Sequence, residues 1–256
     1  MRNTLRRLAA LPLLLLPAGC GISSEPISAD TPGLFDHYVI YPFSWTITKL
    51  AEMFGGSYGF ALIAATLIVR LAIMPLMLNQ SKKQAEMQTK MAAMKPELQR
   101  LQEKYKDAGP ESGQKMQAEM LALYQKHGYN PLAIGCLPML LQIPIVFGFY
   151  HAIRRTPEIA RHTFLWFDLG HPDLILPVLA AAVYFVQFKV SQIGTDPEMA
   201  KRIAWMGWIS PVAMGLFSFA APAALPLYWT VGGLFLIVQT LIVKRLYKPK
   251  PVEAEA

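Results

Sequence analysis

Charged side chains are scarce in this 256-residue chain, making up 16% of it, where a soluble domain carries about a quarter. With 54% hydrophobic residues and a mean hydropathy of +0.32, that scarcity excludes an ordinary soluble enzyme. Cysteine is limited to Cys20 and Cys136, so no disulfide framework and no zinc-ligand spacing is present. There is no GxSxG, HExxH or Walker loop. His37, His151, His162 and His171 fall in loops or at a run's end, and His127 follows a charged amphipathic stretch. No acidic residue lies in the interior of any long apolar run; Asp173 stands at an edge. The paired aspartates of an intramembrane protease are therefore missing. The reading is of a non-enzyme without cofactor or metal.

What is present is a series of apolar runs, each near the roughly 20 residues a helix needs to cross a bilayer. Five spans are expected, at about 58–78, 132–150, 173–192, 205–221 and 223–243. The net charge of +7 and pI of 9.4 do not signal nucleic-acid recognition, because the charges segregate by loop. Segment 80–130 holds Lys82, Lys83, Lys90, Lys95, Arg100, Lys104, Lys106, Lys115 and Lys126. With Lys189, Lys201, Arg202, Lys244, Arg245, Lys248 and Lys250, one side carries sixteen; the other carries four, Lys49, Arg154, Arg155 and Arg161. The positive-inside rule places the large loop and the C-terminus in the cytoplasm. Arg154-Arg155 run against it.

The N-terminus agrees with that orientation. Arg2, Arg6 and Arg7 precede a short apolar stretch, Leu8 to Leu16, and the small pair Ala18-Gly19. Residues 1–19 thus read as a secretory signal. Cys20, directly after it, resembles the lipidated cysteine of a bacterial lipobox, although Pro17 stands where that motif usually has Leu. Lipidation at Cys20 and plain cleavage nearby both leave 20–57 outside the membrane. In that segment Phe43, Ile47, Leu50 and Phe54 recur at helical spacing, which fits a short helix in the outer interface or an extension of the next span.

Loop 80–130 is too long for a turn. Met87, Met91, Met94, Leu98, Leu101 and Tyr105 recur at three- and four-residue steps, as do Met116, Met120, Leu123 and Tyr124, with the terminators Asp107-Ala108-Gly109-Pro110 between them. This predicts a helical hairpin. Its Met-rich stripe is either the seam between the two helices or an adaptable surface for varied apolar segments.

Arg70 is the strongest single signal. It lies nine residues before Asn79, roughly 13 Å from the end of its span at 1.5 Å per residue. A charge at that depth costs several kcal/mol unless it meets water or a partner. With no carboxylate inside the spans, water and neutral polar groups must solvate it, which implies a wet cavity; snorkelling to the inner interface is the alternative. Gln142 sits mid-span in the second helix. Tyr184, Gln187 and Ser191 share a face of the third; Tyr228, Gly232 and Gln239 share a stripe of the last, with Trp229 and Thr240 beside it. Singly, each fits ordinary interhelical hydrogen bonding; beside Arg70, they fit a hydrophilic groove.

Over about 40–245 the order of motifs resembles the YidC/Oxa/Alb insertases. An Arg lies in the first conserved span (LIVRLAIMPL). A hairpin runs into NPLAIGCLPMLLQIPIVFGFY. FLWFDLGHPD and LPLYWTVGGLFLIVQ follow. The signal and Cys20 resemble the lipoprotein members of Gram-positive bacteria, without the large extracytoplasmic domain of Gram-negative ones. The resemblance implies an all-α polytopic membrane protein with five transmembrane helices around a hydrophilic groove and a cytoplasmic helical hairpin (insertase core 58–245, cytoplasmic tail 246–256). It implies that nascent membrane proteins are inserted, with the Sec translocon, the ribosome and membrane lipids as partners and no cofactor. Arg70, Gln187 and Trp229 would line the groove, with Gln142, Tyr184, Tyr228 and Gln239 as further contacts. The competing class is a small transporter or channel with an anion site at Arg70.

Overall fold

Apolar and amphipathic periodicity becomes helix almost throughout. The structure, a computed structural model, describes residues 25–106, 112–129, 132–195 and 205–247, with the backbone alone for 132–139 and 206. The expected signal with Cys20, the hairpin break at 107–110, Lys201, Arg202 and the tail beyond Tyr247 lie outside the described residues.

A π-helical turn, Asp36–Ile40, runs into α1 (Tyr41–Met53). The rest comprises α2 (Tyr58–Tyr105), α3 (Ser112–Lys126), α4 (Leu132–Arg155), the single turn α5 (Pro157–Ala160), a two-stranded antiparallel ladder of β1 (Thr163–Phe164) and β2 (Phe167–Asp168), then α6 (Ile175–Gln192), α7 (Met206–Phe219) and α8 (Ala224–Leu246). Among the described residues α2, α6 and α8 are long and apolar enough to cross a bilayer, and Gly207–Phe219 is a shorter apolar helix. Leu71, Val178, Val212, Leu216, Phe217, Leu234 and Val238 are all exposed on these helices. Apolar exposure on that scale is stable only against lipid. The protein is a multi-pass membrane protein.

Of three features, the first and third differ from the sequence reading, and the second is one of the two alternatives it left open. First, α2 does not stop near Asn79. It runs unbroken for 48 residues, through Pro75 and Pro96, about 72 Å at 1.5 Å per residue. No helix terminator separates Asn79 from the polar stretch, and the Ser81 and Thr89 hydroxyls return hydrogen bonds to the Met77 and Ala85 carbonyls within the helix. The first hairpin helix is thus a rigid continuation of the first span. Second, α1 is a separate helix rather than an extension of α2. Gly55 (φ 64°) and Gly56 (φ 91°) form the left-handed turn between them. Ser44, Ile47 and Ala51 are buried against the bundle, while Phe43 meets the Phe149 ring at 4.7 Å. Third, the motif FLWFDL folds into the small β-ladder.

Packing is polarised along the helices. The buried apolar cluster gathers Ile40, Ile47, Leu62, Phe149, Ile153, Leu169 and Leu225 with their neighbours, all near the end where α2 and α8 begin. We call this the capped end. Asp173 caps α6 there, its carboxylate accepting the N–H groups of Ile175 and Leu176 at 2.8 and 2.7 Å. The N-terminal segment is strapped across the same end. Arg155 donates from Nη1 to Asp36 at 2.8 Å and from Nε to the Glu25 carbonyl at 2.8 Å, and Ser44 and Thr156 share a buried 2.7 Å hydrogen bond. The Arg155 side chain is 2% exposed and that of Asp36 13%, so this is a buried ion pair. It explains how an arginine can sit against the positive-inside count.

At the other end, α3 lies along the far part of α2. Lys104 and Tyr105 both donate to Glu119, and Lys126 and His127 contact Glu97. Met94 is fully buried and the rest of the Met/Leu stripe half-buried, so the stripe is the seam between the two helices.

Removing one partner of a buried ion pair typically costs about 3–5 kcal/mol. Asp36→Ala should lower the thermal stability of the detergent-solubilised protein by an amount in that range, and the Asp36→Leu, Arg155→Met double variant should lose less. The hairpin has its own pH signature. Hydrogen bonds from Lys126 and Lys104 hold the Glu97 and Glu119 carboxyls below their ordinary 4.5, and Glu119 raises Lys104 above its ordinary 10.5. The carboxylate contribution is complete above 4.5 and lost as pH falls through the lowered values; the Lys104 contribution is complete below 10.5 and lost as pH rises through the raised one. Fluorophores at Gln99→Cys and Leu121→Cys should keep a constant transfer efficiency from about pH 5 to 10, with a small decrease confined to pH outside that window, because exposed ion pairs add little to the apolar seam.

Candidate functional site

Arg70 lies twelve residues into α2, about 18 Å along it. It is 6% exposed, so its side chain turns into the bundle and not into lipid. Its Nη1 donates to Gln142 Oε1 of α4 at 3.3 Å; Gln142 Nε2 in turn donates to the Tyr228 hydroxyl of α8 at 2.9 Å. Tyr228 is 1% exposed and stacks on Phe149, with ring centroids 4.6 Å apart. One relay thus crosses three helices. Gly232 lies against it: a Cβ there would stand 2.9 Å from Arg70 Nη2, so the guanidinium would have to shift if position 232 carried a side chain. Gly233, beside Gly232, brings α8 close to Tyr184 and Val183 of α6.

Among the described residues no carboxylate forms an ion pair with Arg70. A guanidinium carries five N–H donors, and one neutral amide acceptor at the long end of hydrogen-bonding distance solvates a small part of it. The same residues include no group of three His, Cys, Asp or Glu that could hold a metal ion.

A cavity of ≈ 590 Å³ opens on the hairpin side. α2 contributes Ser81, Gln84 and Gln88, α6 contributes Gln187 and Ser191, and α8 contributes Gln239, Thr240 and Lys244. Its polar groups are hydroxyls and amides with one ammonium, set among the apolar side chains of Ala85, Ile193 and Val243. Lys244 donates to the Ser191 and Ile193 carbonyls at the end of α6, tying α8 to α6 at the cavity's rim.

The expected residues therefore divide in two. Arg70, Gln142 and Tyr228 form one hydrogen-bonded cluster with Tyr184 beside it. Gln187 and Gln239 line the cavity, seven residues or about 10 Å further along α8 from Gly232. Trp229 is half-buried and packs on the apolar cluster of the capped end. Ser81, Gln84 and Gln88 escaped the sequence reading, because they fall in what looked like a separate loop helix. Their spacing of three and four with uncharged polar side chains is the signal that marks them once α2 is continuous.

This arrangement can be set beside known proteins. The model of the family described as 60Kd inner membrane protein matches residues 49–250. "Membrane protein insertase YidC 2" of Listeria monocytogenes serotype 4b is 48% identical over 241 residues, 94% of this chain and 86% of that protein. The chain belongs to the YidC family of membrane insertases. "Membrane protein insertase MisCA" of Bacillus subtilis is 46% identical over 239 residues, 93% of this chain and 89% of that one. Among solved structures, an active YidC insertase with its first transmembrane domain resolved superposes with a TM-score of 0.59 at 26% identity. The match covers 81% of this chain and 46% of that one. The YidC-family fold therefore carries the relay and the cavity just described.

Gln142 is the hinge of the relay. Gln142→Leu leaves Arg70 and the Tyr228 hydroxyl without it, at a cost of about 1–3 kcal/mol for each buried group left unsatisfied. The variant should unfold at lower temperature in detergent; an unchanged midpoint would mean that water already serves both groups.

Proposed function

We propose that this chain inserts integral membrane proteins into the bilayer and helps them fold, alone or with the Sec translocon, through a hydrated groove that carries one positive charge. The observation that carries this reading is Arg70: buried, among the described residues without a carboxylate partner, and lying between an apolar seal at the capped end and a polar cavity at the hairpin end.

In this reading five spans surround the groove: the first part of α2, then α4, α6, α7 and α8. The hairpin and C-terminus face the cytoplasm, and the capped end faces outward with Cys20 lipidated near it. The Lys/Arg distribution supports this orientation, and the Arg155–Asp36 pair weakens the one local argument against it. An incoming membrane protein meets the hairpin first, because α2 delivers it rigidly from the bundle. The acidic or polar tail of the substrate enters the cavity lined by Gln187 and Gln239 and is drawn toward Arg70, with Tyr184, Gln142 and Tyr228 as neutral polar contacts. The wet groove shortens the hydrocarbon path for that tail. The apolar segment then moves past Trp229, along α6 and α8, into lipid. Its burial, at roughly 25 cal/mol per Å², drives the process, so no nucleotide or cofactor is required. The basic C-terminal end, with Lys244, Arg245, Lys248 and Lys250, suits a ribosome contact.

Reconstitution in liposomes with a single-span substrate bearing an acidic N-terminal tail tests the proposal. Arg70→Ala should cut insertion several-fold, while Arg70→Lys retains most of it, because charge and not guanidinium geometry is invoked. Full activity of the Ala variant would remove Arg70 from the mechanism.

A further inference from the structure

The turn between β1 and β2 is built against the ordinary rules. Leu165 has φ 58°, the only non-glycine residue with positive φ among those described. Two-residue hairpin turns that need this conformation favour Gly, Asn or Asp, and a branched apolar side chain there is strained. The same Leu165 is 70% exposed, and its neighbour Trp166 is 53% exposed, whereas Phe164 and Phe167 on either side are 6% and 4% exposed. The ladder thus buries its own aromatic pair and holds its two largest remaining apolar side chains outward. Within the described fold the one ring contact of the tip is Trp166 edge-on to its neighbour Phe167 at 5.3 Å, which leaves most of both side chains uncovered.

The position of the turn indicates what covers them. The Phe164 ring meets Phe60, in the first turn of α2, at 5.1 Å, and also closes over Gly59. The Leu169 and His171 carbonyls accept the N–H groups of Ala224 and Ala223 at 3.0 and 2.8 Å, where α8 begins. Phe60 (53% exposed) and Leu174 (77% exposed), at the starts of α2 and α6, add apolar surface at the same level. The tip is therefore pinned where three apolar helices start, the depth of a bilayer's interfacial zone, where tryptophan is favoured. Exposed Arg161 lies next to it in the chain.

We propose that Leu165 and Trp166 form a lipid wedge that enters the leaflet at the capped end and anchors that end of the bundle in the membrane. The occupant is lipid acyl chain and not a protein, because the tip sits at the apolar starts of lipid-exposed helices. The wedge is independent of the insertion mechanism and of which face the capped end occupies.

The test uses the full chain labelled with 5-fluorotryptophan in phosphatidylethanolamine/phosphatidylglycerol liposomes containing no other protein. The Trp166 fluorine signal is assigned by its loss in Trp166→Phe. A spin label near the top of the acyl chain should broaden that signal at least threefold more than a water-soluble gadolinium chelate does. Broadening by the chelate alone would place the tip in water, and no broadening by either would place it in a protein contact; both outcomes overturn the proposal. Leu165→Asp should then lower the lipid-borne broadening of Trp166 at least threefold while the other four tryptophan signals hold their positions. An undiminished effect in that variant would likewise overturn the wedge.

Discussion

A guanidinium sunk in a helix bundle, with no carboxylate among the described residues to neutralise it, is the constraint on which this structure turns. A charge in hydrocarbon costs several kcal/mol unless something polar surrounds it. Around Arg70 that something is a single relay, Gln142 and then Tyr228, spread over α4 and α8. The relay needs α8 within a hydrogen bond's reach, which Gly232 permits. One side chain is thus linked to two neighbouring helices through two hydrogen bonds. A buried carboxylate would have been a stronger partner, but it would also cancel the site's charge.

The rest of the molecule is arranged unequally on either side of that charge. Toward the capped end, apolar side chains close-pack, and the N-terminal segment is clamped over them by Arg155 and Asp36. Toward the hairpin end, amides and hydroxyls from α2, α6 and α8 leave a cavity of ≈ 590 Å³. One end is closed by apolar packing, and the other holds an open cavity whose wall mixes amides and hydroxyls with apolar side chains. This asymmetry suits a device that lowers the barrier for polar segments from one side only. A through-channel would need polar lining at both ends.

Most of the fold was legible in the sequence because bilayer thickness imposes a run length that few other constraints mimic. Arg70 stood out for the same reason: its cost depends on depth, which residue counting gives. Gln142 and Tyr228 were nameable as polar residues within spans, yet their linkage through one relay needed coordinates, since nothing local fixes which helices are neighbours. The continuity of α2 was missed because polarity changes at Asn79 while helix propensity does not, and the reading followed polarity. Arg155 looked like a misplaced loop charge. Its partner Asp36 is 119 residues away in sequence, beyond any periodicity argument. Trp229, expected to line the groove, packs on the apolar cluster, one helical position away from the face that holds Tyr228 and Gly232.

The central claim is that Arg70 is solvated by water reaching it from the hairpin-side cavity. Water-edited solid-state NMR on arginine-labelled protein in lipid bilayers, with the Arg70 guanidinium assigned by Arg70→Lys, measures this directly. Magnetisation from mobile water should reach the Arg70 guanidinium nitrogens at a rate close to that of exposed Arg161 and well ahead of buried Arg155. Transfer as slow as that of Arg155 would mean a dry guanidinium, and a hydrated groove around Arg70 would be contradicted.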